Sequence, residues 1–396
     1  MFNLKIGSLE MFLNSILTNT QQKKKYFILI LFLYAFSGCT DEKVAFNGQK
    51  DYSQHITELQ AKYIFAETKE FPNNTQLAIA ILHNGTTNFY GIKRENDTVF
   101  NIDNHDSVFE IGSISKVFTA TLLADMVVNQ QLGLDDNIND YLEWLLKGDV
   151  KITFKQLSNH TSGLPRLPTN LPLDSVDLQN PYKDYDEQKL KQYVTQHLQL
   201  NQNPGEKSEY SNLGVGLLGF MLSKIDSTSY ENLLQSKICT KYKLVRTTTD
   251  RDQIRSQLIM GLDENGNETP NWDLNVLVGA GGILSSVADL SKFARAQFND
   301  SDQILSLTRK VSFSLEPNKA EMGLGWAIQK DIDKKLIMHS GGTGGYRSNI
   351  VLNLAKQNGV IILSNLSAFH KNNMNIDNLG IRLLKTLHKS NSIVQQ

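Results

Sequence analysis

The run from Ile114 to Val128 constrains this chain more than any other segment. Ile114, Val117, Phe118, Ala120, Leu122, Leu123, Ala124, Met126, Val127 and Val128 leave it almost no polar side. A helix that is apolar nearly all round has no face to give to water and belongs inside the protein. Ser113 and Lys116 stand at its start, three residues apart and so on one face, one turn from each other. This spacing sets an amine where it can take the proton of a hydroxyl, which a serine nucleophile needs. If Ser113 opens the helix, its backbone N–H lies in the positive field of the helix N-terminus. Taken alone, the four letters also fit a surface lysine one turn from a capping serine. The apolar surroundings argue otherwise, because a lysine entering a buried helix must be paired or desolvated, and either perturbs its pKa.

The chain has 396 residues, enough for one large domain or two average ones. Forty Lys and Arg against 41 Asp and Glu leave a formal net charge of −1, so no basic field argues for nucleic acid. Only Cys39 and Cys239 are present, which rules out a disulfide framework and a cysteine-based zinc site. The histidines show no zinc-ligand spacing. Near the start, Lys23-Lys24-Lys25 precedes an apolar run, Tyr26 to Phe36, too short to span a bilayer. It ends in Phe36-Ser37-Gly38-Cys39, which resembles the lipobox of bacterial lipoproteins. Met11 could also initiate ahead of that basic run. The expectation is a signal segment over 1–38, a lipid on Cys39, a polar tether over 39–50, and a protein exported to the periplasm or cell surface, held to a membrane by that lipid. A plain signal peptide or an uncleaved anchor is the alternative.

Helical periodicity is expected from Asp51 to Glu70, with Ile56, Leu59, Tyr63, Ile64 and Phe65 on the apolar side. Gln76–Leu82 and Thr87–Lys93 flank Asn84-Gly85, a strong signal for a tight hairpin. After the buried helix the composition turns polar to about Asn275, with helices expected at 186–200 and 212–225. Strands are expected at Gly325–Gln329, Leu336–His339, Arg347–Leu354 and Val360–Leu363, and a closing amphipathic helix at Asn373–His388. Strands from both ends of the chain can pair into one antiparallel sheet covered by terminal helices. The fold class is therefore α+β, with one lobe from about 51–125 and 276–390, a mostly helical second lobe at about 126–275, and a cleft between them.

Two further segments suit that cleft. Tyr210-Ser211-Asn212 follows the Asn203-Pro204-Gly205 turn and precedes a helix. A tyrosine beside a cationic lysine loses part of its high pKa and can pass a proton, and Asn212 can both donate to and accept from a substrate amide. The same residues equally fit a helix cap with a packed tyrosine. His339-Ser340-Gly341-Gly342 ends a strand, where the glycines let substrate approach the backbone and the Gly342 N–H could complete an oxyanion hole. A turn and a buried structural histidine are the plainer alternatives.

In this order, Ser-x-x-Lys, Tyr-x-Asn and His-x-Gly resemble the serine β-lactamase and penicillin-binding family, in its class C and D-Ala-D-Ala carboxypeptidase branch. Leu157–Pro165 (LSNHTSGLP), Gly279–Ser286 (GAGGILSS) and His339–Gly345 (HSGGTGG) support the resemblance, which covers roughly 50–390. It implies a β-lactamase-like fold in which Ser113 is the acylated nucleophile. Lys116 and Tyr210 would shuttle its proton, Asn212 would hold the substrate amide, and the Ser113 and Gly342 amides would form the oxyanion hole. His339, Ser340, Gly341 and Gly342 would line the substrate site. The implied reaction is acyl transfer on D-Ala-D-Ala peptides, β-lactams or related amides and esters, with no metal or organic cofactor. A small-ester hydrolase and a penicillin-binding sensor that does not turn over are the alternatives.

Class C β-lactamases usually place a lysine where His339 stands, whereas some carboxypeptidases and esterases of the family carry histidine. With a reference pKa near ~6.5, His339 is expected to make activity titrate near neutrality. Arg347 could meet a substrate carboxylate or sit at the surface, and His160 reads as structural. Gly214–Gly219 matches a dinucleotide fingerprint in letters only, since it follows a loop and no βαβ unit surrounds it. No Gly-x-Ser-x-Gly elbow is present, which argues against an α/β-hydrolase.

Overall fold

A computed structural model describes residues 56–387, apart from 97, 175, 317–319 and 332–333. The expected signal segment, the lipid-bearing Cys39 and the tether lie outside the described residues.

Helix α1 (Glu58–Thr68) starts at a capping box in which Thr57 and Gln60 satisfy each other's backbone N–H. Its inner face is Ala61, Ile64 and Thr68, while Leu59, expected inside, is exposed. The hairpin forms as its turn residues dictate. Strands β1 (Gln76–His83) and β2 (Thr86–Glu95) are joined by Asn84 and Gly85 at φ 49° and 75°, the left-handed pair that a type I′ turn requires. β3 (Thr98–Ile102), which no periodicity marked, adds the outer edge.

Next, β4 (Phe109–Glu110) leads through a 3₁₀ turn, Gly112–Ile114, into α2 (Ser115–Val128). Twelve of the 14 residues of α2 are buried, as its apolar girth demands. Ser113 therefore sits in the 3₁₀ turn ahead of α2. The middle of the chain has one long helix, α3 (Asn212–Ile225), and shorter helices joined by extended turns. The helix expected at 186–200 is a six-residue α segment, Glu187–Gln192, that loosens into a π turn. β5 (Gly261–Leu262) and β6 (Glu268–Thr269) form a small ladder, and β7 (Leu284–Ser285) pairs with β4. Helix α4 (Val287–Ala296) follows.

The remaining strands are β8 (Phe313–Glu316), β9 (Ala320–Met322), β10 (Ala327–Asp331), β11 (Lys334–Gly342), β12 (Arg347–Asn353) and β13 (Asn358–Ser364). One antiparallel sheet runs β3-β2-β1-β13-β12-β11-β10-β9-β8. Strands from both ends of the chain meet where Ile79 pairs with Ile362. The sheet's middle is buried on both faces. Ala78, Ala80, Ile361 and Leu363 point into the core that holds α2 and α4. Asn349 and Val351 point the other way, against α5 (Asn375–Thr386), which also packs on α1. The α+β class and the β-lactamase-like arrangement of a helix-flanked antiparallel sheet are thus what the chain adopts.

Phe118 of α2 stacks on Phe293 of α4 at 4.6 Å between ring centroids, and both rings are buried. Phe118→Ala should cost about 3–5 kcal/mol, read as a lowered urea midpoint. A loss under about 1 kcal/mol would mean that the helix seam collapses to fill the space.

Candidate active site

Ser113 is the only residue between Ile111 and Met126 that is not buried. It lines a cleft together with Asn212, Tyr182, Trp272, Leu277, Gly342 and Thr343. Backbone and hydroxyl contacts clamp the turn that carries it. Ile111 N–H donates to Ile283 O at 3.0 Å, Ser348 Oγ donates to Ile111 O at 2.8 Å, and Ile283 N–H donates to Ser115 Oγ at 3.1 Å.

Behind it, Lys116 is 1% exposed and its Nζ donates to Ser113 Oγ at 3.0 Å and to the Ala280 carbonyl at 2.6 Å. Burial pulls the amine's pKa down and the Arg166 charge adds to that, while Tyr210 opposes both. Tyr210 lies across the amine, with Nζ 4.8 Å from its ring centroid, and its hydroxyl reaches Lys116 and Ser113. Burial alone would raise the phenol's pKa, but the charges of Lys116 and Arg166 and these hydrogen bonds outweigh it and leave it lowered. Amine and phenol are thus both poised to hold and release a proton beside one hydroxyl.

Tyr210 is held from below. His160 lies against its ring at 4.5 Å between centroids, and Ser211 N–H donates to His160 Nδ1 at 3.2 Å. That acceptor role leaves the His160 proton on Nε2. Its pKa is driven far below the ordinary value, first by burial and then by the charge of Lys116, so its role is structural. Ser211 Oγ caps α3 by accepting from Gly214 N–H at 2.8 Å, and this orients Asn212, which hydrogen-bonds Tyr182 across the cleft.

The third segment is the glycine end of β11, pressed against the serine turn. A Cβ on Gly341 would lie 2.0 Å from Ile111 O, and one on Gly112, whose φ is +50°, would lie 2.5 Å from Gly342 N. Only glycines permit that approach. Because Thr343 N–H donates to Tyr346 O, antiparallel alternation turns the Gly342 N–H to the opposite edge, which β10 has already left at Met338. The Gly342 N–H therefore faces the Ser113 turn.

Two expectations for this strand are overturned. Ser340 does not face the cleft; its hydroxyl donates to Asp377 on α5, on the far face of the sheet, because side chains alternate along a strand. Arg347 binds the same Asp377, with Nε at 3.1 Å, and Asn349 Nδ2 donates to it at 3.0 Å. Nor does His339 titrate near neutrality. Burial, then the charge of Lys116, pull its pKa down to about 3, against a weaker pull upward from the Ser340 carbonyl. Its Nδ1 is 2.8 Å from that carbonyl, which can only accept, so the proton is on Nδ1 and Nε2 presents a lone pair.

The remaining walls carry no motif in the sequence. Arg166, the residue after the Leu157–Pro165 stretch, stands with Cζ 5.1 Å over the Tyr210 ring. Trp272 and Tyr182 meet edge to face at 5.4 Å. Beneath them Glu110, 6% exposed, accepts from Trp272 N–H at 2.9 Å and Asn271 Nδ2 at 2.8 Å, and burial raises its pKa. Among the described residues no cluster of three or more His, Cys, Asp or Glu is placed to hold a metal.

Removing the Arg166 charge relieves repulsion on the Lys116 cation and withdraws stabilisation from a Tyr210 phenolate, so both pKa values rise. We expect Arg166→Gln to move the acidic limb of the kcat/KM–pH profile upward. His339→Gln should leave limb positions between about pH 5.5 and 8 in place, because a neutral ring loses no proton there. A limb that vanishes with His339→Gln would contradict this assignment.

Comparison with known proteins gives the chain a family. The Beta-lactamase family profile matches residues 69–380. A β-lactamase of Pseudomonas fluorescens is 25% identical over 327 residues, 73% of this chain and 88% of its own length. Protein flp of Staphylococcus aureus (strain MRSA252) is 26% identical over 280 residues, 66% of this chain, and the chain spans about half (53%) of that protein. In fold, the chain is similar to a β-lactamase/D-alanine carboxypeptidase from Pseudomonas syringae, at TM-score 0.67 and 23% identity, covering 82% of this chain and 96% of that one. A class C β-lactamase from Rhodobacter sphaeroides gives TM-score 0.70 at 19% identity, covering 84% and 100%. With its family profile matched from 69 to 380 and its serine, lysine, tyrosine and glycine strand gathered at one cleft, this chain belongs to the Beta-lactamase family.

Proposed function

We propose that the protein is a serine hydrolase that works through a Ser113 acyl-enzyme on D-Ala-D-Ala-type peptides, β-lactams or related amides and esters. The observation that carries this reading is the 3.0 Å contact between the buried Lys116 amine and the one accessible hydroxyl of the segment. Ser113 Oγ attacks a carbonyl carbon while its proton passes to the Lys116–Tyr210 pair. The carbonyl oxygen, as it becomes an anion, takes hydrogen bonds from the Ser113 and Gly342 N–H groups. Proton return from the same pair expels the leaving group, and water then releases the acyl group from Ser113. Asn212 grips the acyl donor's amide.

A small-ester preference is the second reading. Arg347 is occupied by Asp377 and His339 is neutral, so among the described residues the glycine end of β11 offers no free cation to a carboxylate. An ester or amide without a charge at that end fits such a wall.

The test is to incubate residues 50–396 with fluorescent penicillin, nitrocefin and p-nitrophenyl acetate, beside Ser113→Ala. We expect turnover of at least one substrate and its loss by about a thousandfold or more in the variant. Undiminished turnover in Ser113→Ala would end the assignment, and stable labelling without turnover would replace hydrolysis by a sensor role.

We further propose that the chain is exported and lipid-anchored through Cys39, on the strength of Lys23-Lys24-Lys25, the apolar run and the Ser37-Gly38-Cys39 junction. The full chain expressed in a bacterium with radiolabelled palmitate should be labelled and partition into detergent, and Cys39→Ala should do neither. Label retained in the variant would place any lipid elsewhere.

A further inference from the structure

Arg166 differs from the other cations around the cleft. Arg347 is committed to Asp377, Arg251 pairs with Asp273 at 2.8 Å, and Lys116 is sealed beneath Ser113. Arg166 has no acidic partner among the described residues, and its side chain rests only on the face of Tyr210. Its root is fixed, because its carbonyl accepts from Asn212 N–H at 3.0 Å and Leu213 N–H at 3.1 Å at the start of α3. The residue is exposed, and its guanidinium stands over Tyr210, beside cleft-lining Asn212. Among the described residues that line the cleft, none carries a carboxylate. The mouth is therefore electropositive on the Tyr210 side, while the β11 side offers a neutral ring.

An aromatic ring under a guanidinium fixes the plane of the fork and leaves its N–H edge free to bind a carboxylate through two hydrogen bonds. A merely structural arginine in this place would be expected to meet an acid of its own.

We propose that Arg166 is the specificity-determining residue of the site, and that it receives a carboxylate carried by the substrate beyond Tyr210. The substrate class is thus an anionic acyl donor, with its charge bound at the α3 side of the cleft. This rests on the serine-hydrolase reading above. It places the anion opposite the strand that carries Arg347.

The experiment uses three esters of similar size. One is neutral p-nitrophenyl butyrate, one is mono-p-nitrophenyl glutarate with the carboxylate on the acyl chain, and one is 4-butyryloxybenzoate with it on the leaving group. For each, kcat/KM is measured on the pH plateau of wild type, Arg166→Gln and Arg166→Lys, and the readout is the ratio of each anionic ester to the neutral one. Measuring on the plateau removes the effect of Arg166 on the Lys116–Tyr210 pair, and the ratio cancels any general loss. We expect Arg166→Gln to lower the ratio for at least one anionic ester by about tenfold, as for a lost charge-assisted hydrogen bond. The drop should lie in KM, Arg166→Lys should restore part of it, and about 0.5 M salt should shrink the wild-type ratio. Ratios within about twofold of wild type for both anionic esters would overturn the proposal. Ser113→Ala on the neutral ester separates the outcomes: turnover that survives there sinks the hydrolase reading, whereas turnover lost there with unchanged ratios sinks only the role of Arg166.

Discussion

Lys116 has to bury an amine, and the site is arranged around the acceptors it finds. A desolvated ammonium is expensive, and the cost falls only where oxygen atoms replace water. Here these are Ser113 Oγ, the Ala280 carbonyl and the Tyr210 phenol. Each comes from a different part of the chain: the 3₁₀ turn, the Gly279–Ser286 stretch and the loop before α3. Satisfying one charge therefore draws three segments together. The same contact underlies the proposed chemistry, because burial lowers the amine's pKa and makes its proton easier to give up.

The glycine seam makes that assembly compact. Gly112 and Gly341 bring the serine turn and β11 to backbone contact, so the Gly342 N–H can face the turn without a side chain intervening. Asp377 finishes the strand from its far face by taking Ser340, Arg347 and Asn349 at once. One face of β11 is thus devoted to the cleft and the other to fastening the sheet to α5.

The parts legible in sequence are those set by local rules. Asn84-Gly85 fixes its hairpin by φ alone, the apolar girth of α2 decides its burial, and Ser211 caps α3 where a polar cap is needed. The order of Ser113-x-x-Lys116, Tyr210-x-Asn212 and His339-x-Gly341 pointed to residues that do gather at one cleft. What stayed hidden depends on distant partners. Nothing in His339-Ser340-Gly341 says which parity faces the cleft, and Ser340 turns to Asp377 on the other face. The pKa of His339 follows from burial and from Lys116, more than 200 residues away in sequence. Arg166 gains its interest only once Tyr210 lies beneath it. β3, β8 and β9 are short and lack alternation, and pairing alone makes them strands.

β1 has a neighbour of its own hairpin on one side and β13 on the other. During synthesis this strand waits with an open edge until residues 358–364 have been made, and β11 and α5 are equally late. Pairings across such a span are slow to close, since loop entropy must be overcome before any contact rewards it. Ser113 and Lys116 are translated well before the Gly342 N–H that faces them and the α5 helix behind it. A nascent chain therefore carries Ser113 without its glycine wall, and the cleft is completed in one step, when β13 closes on β1.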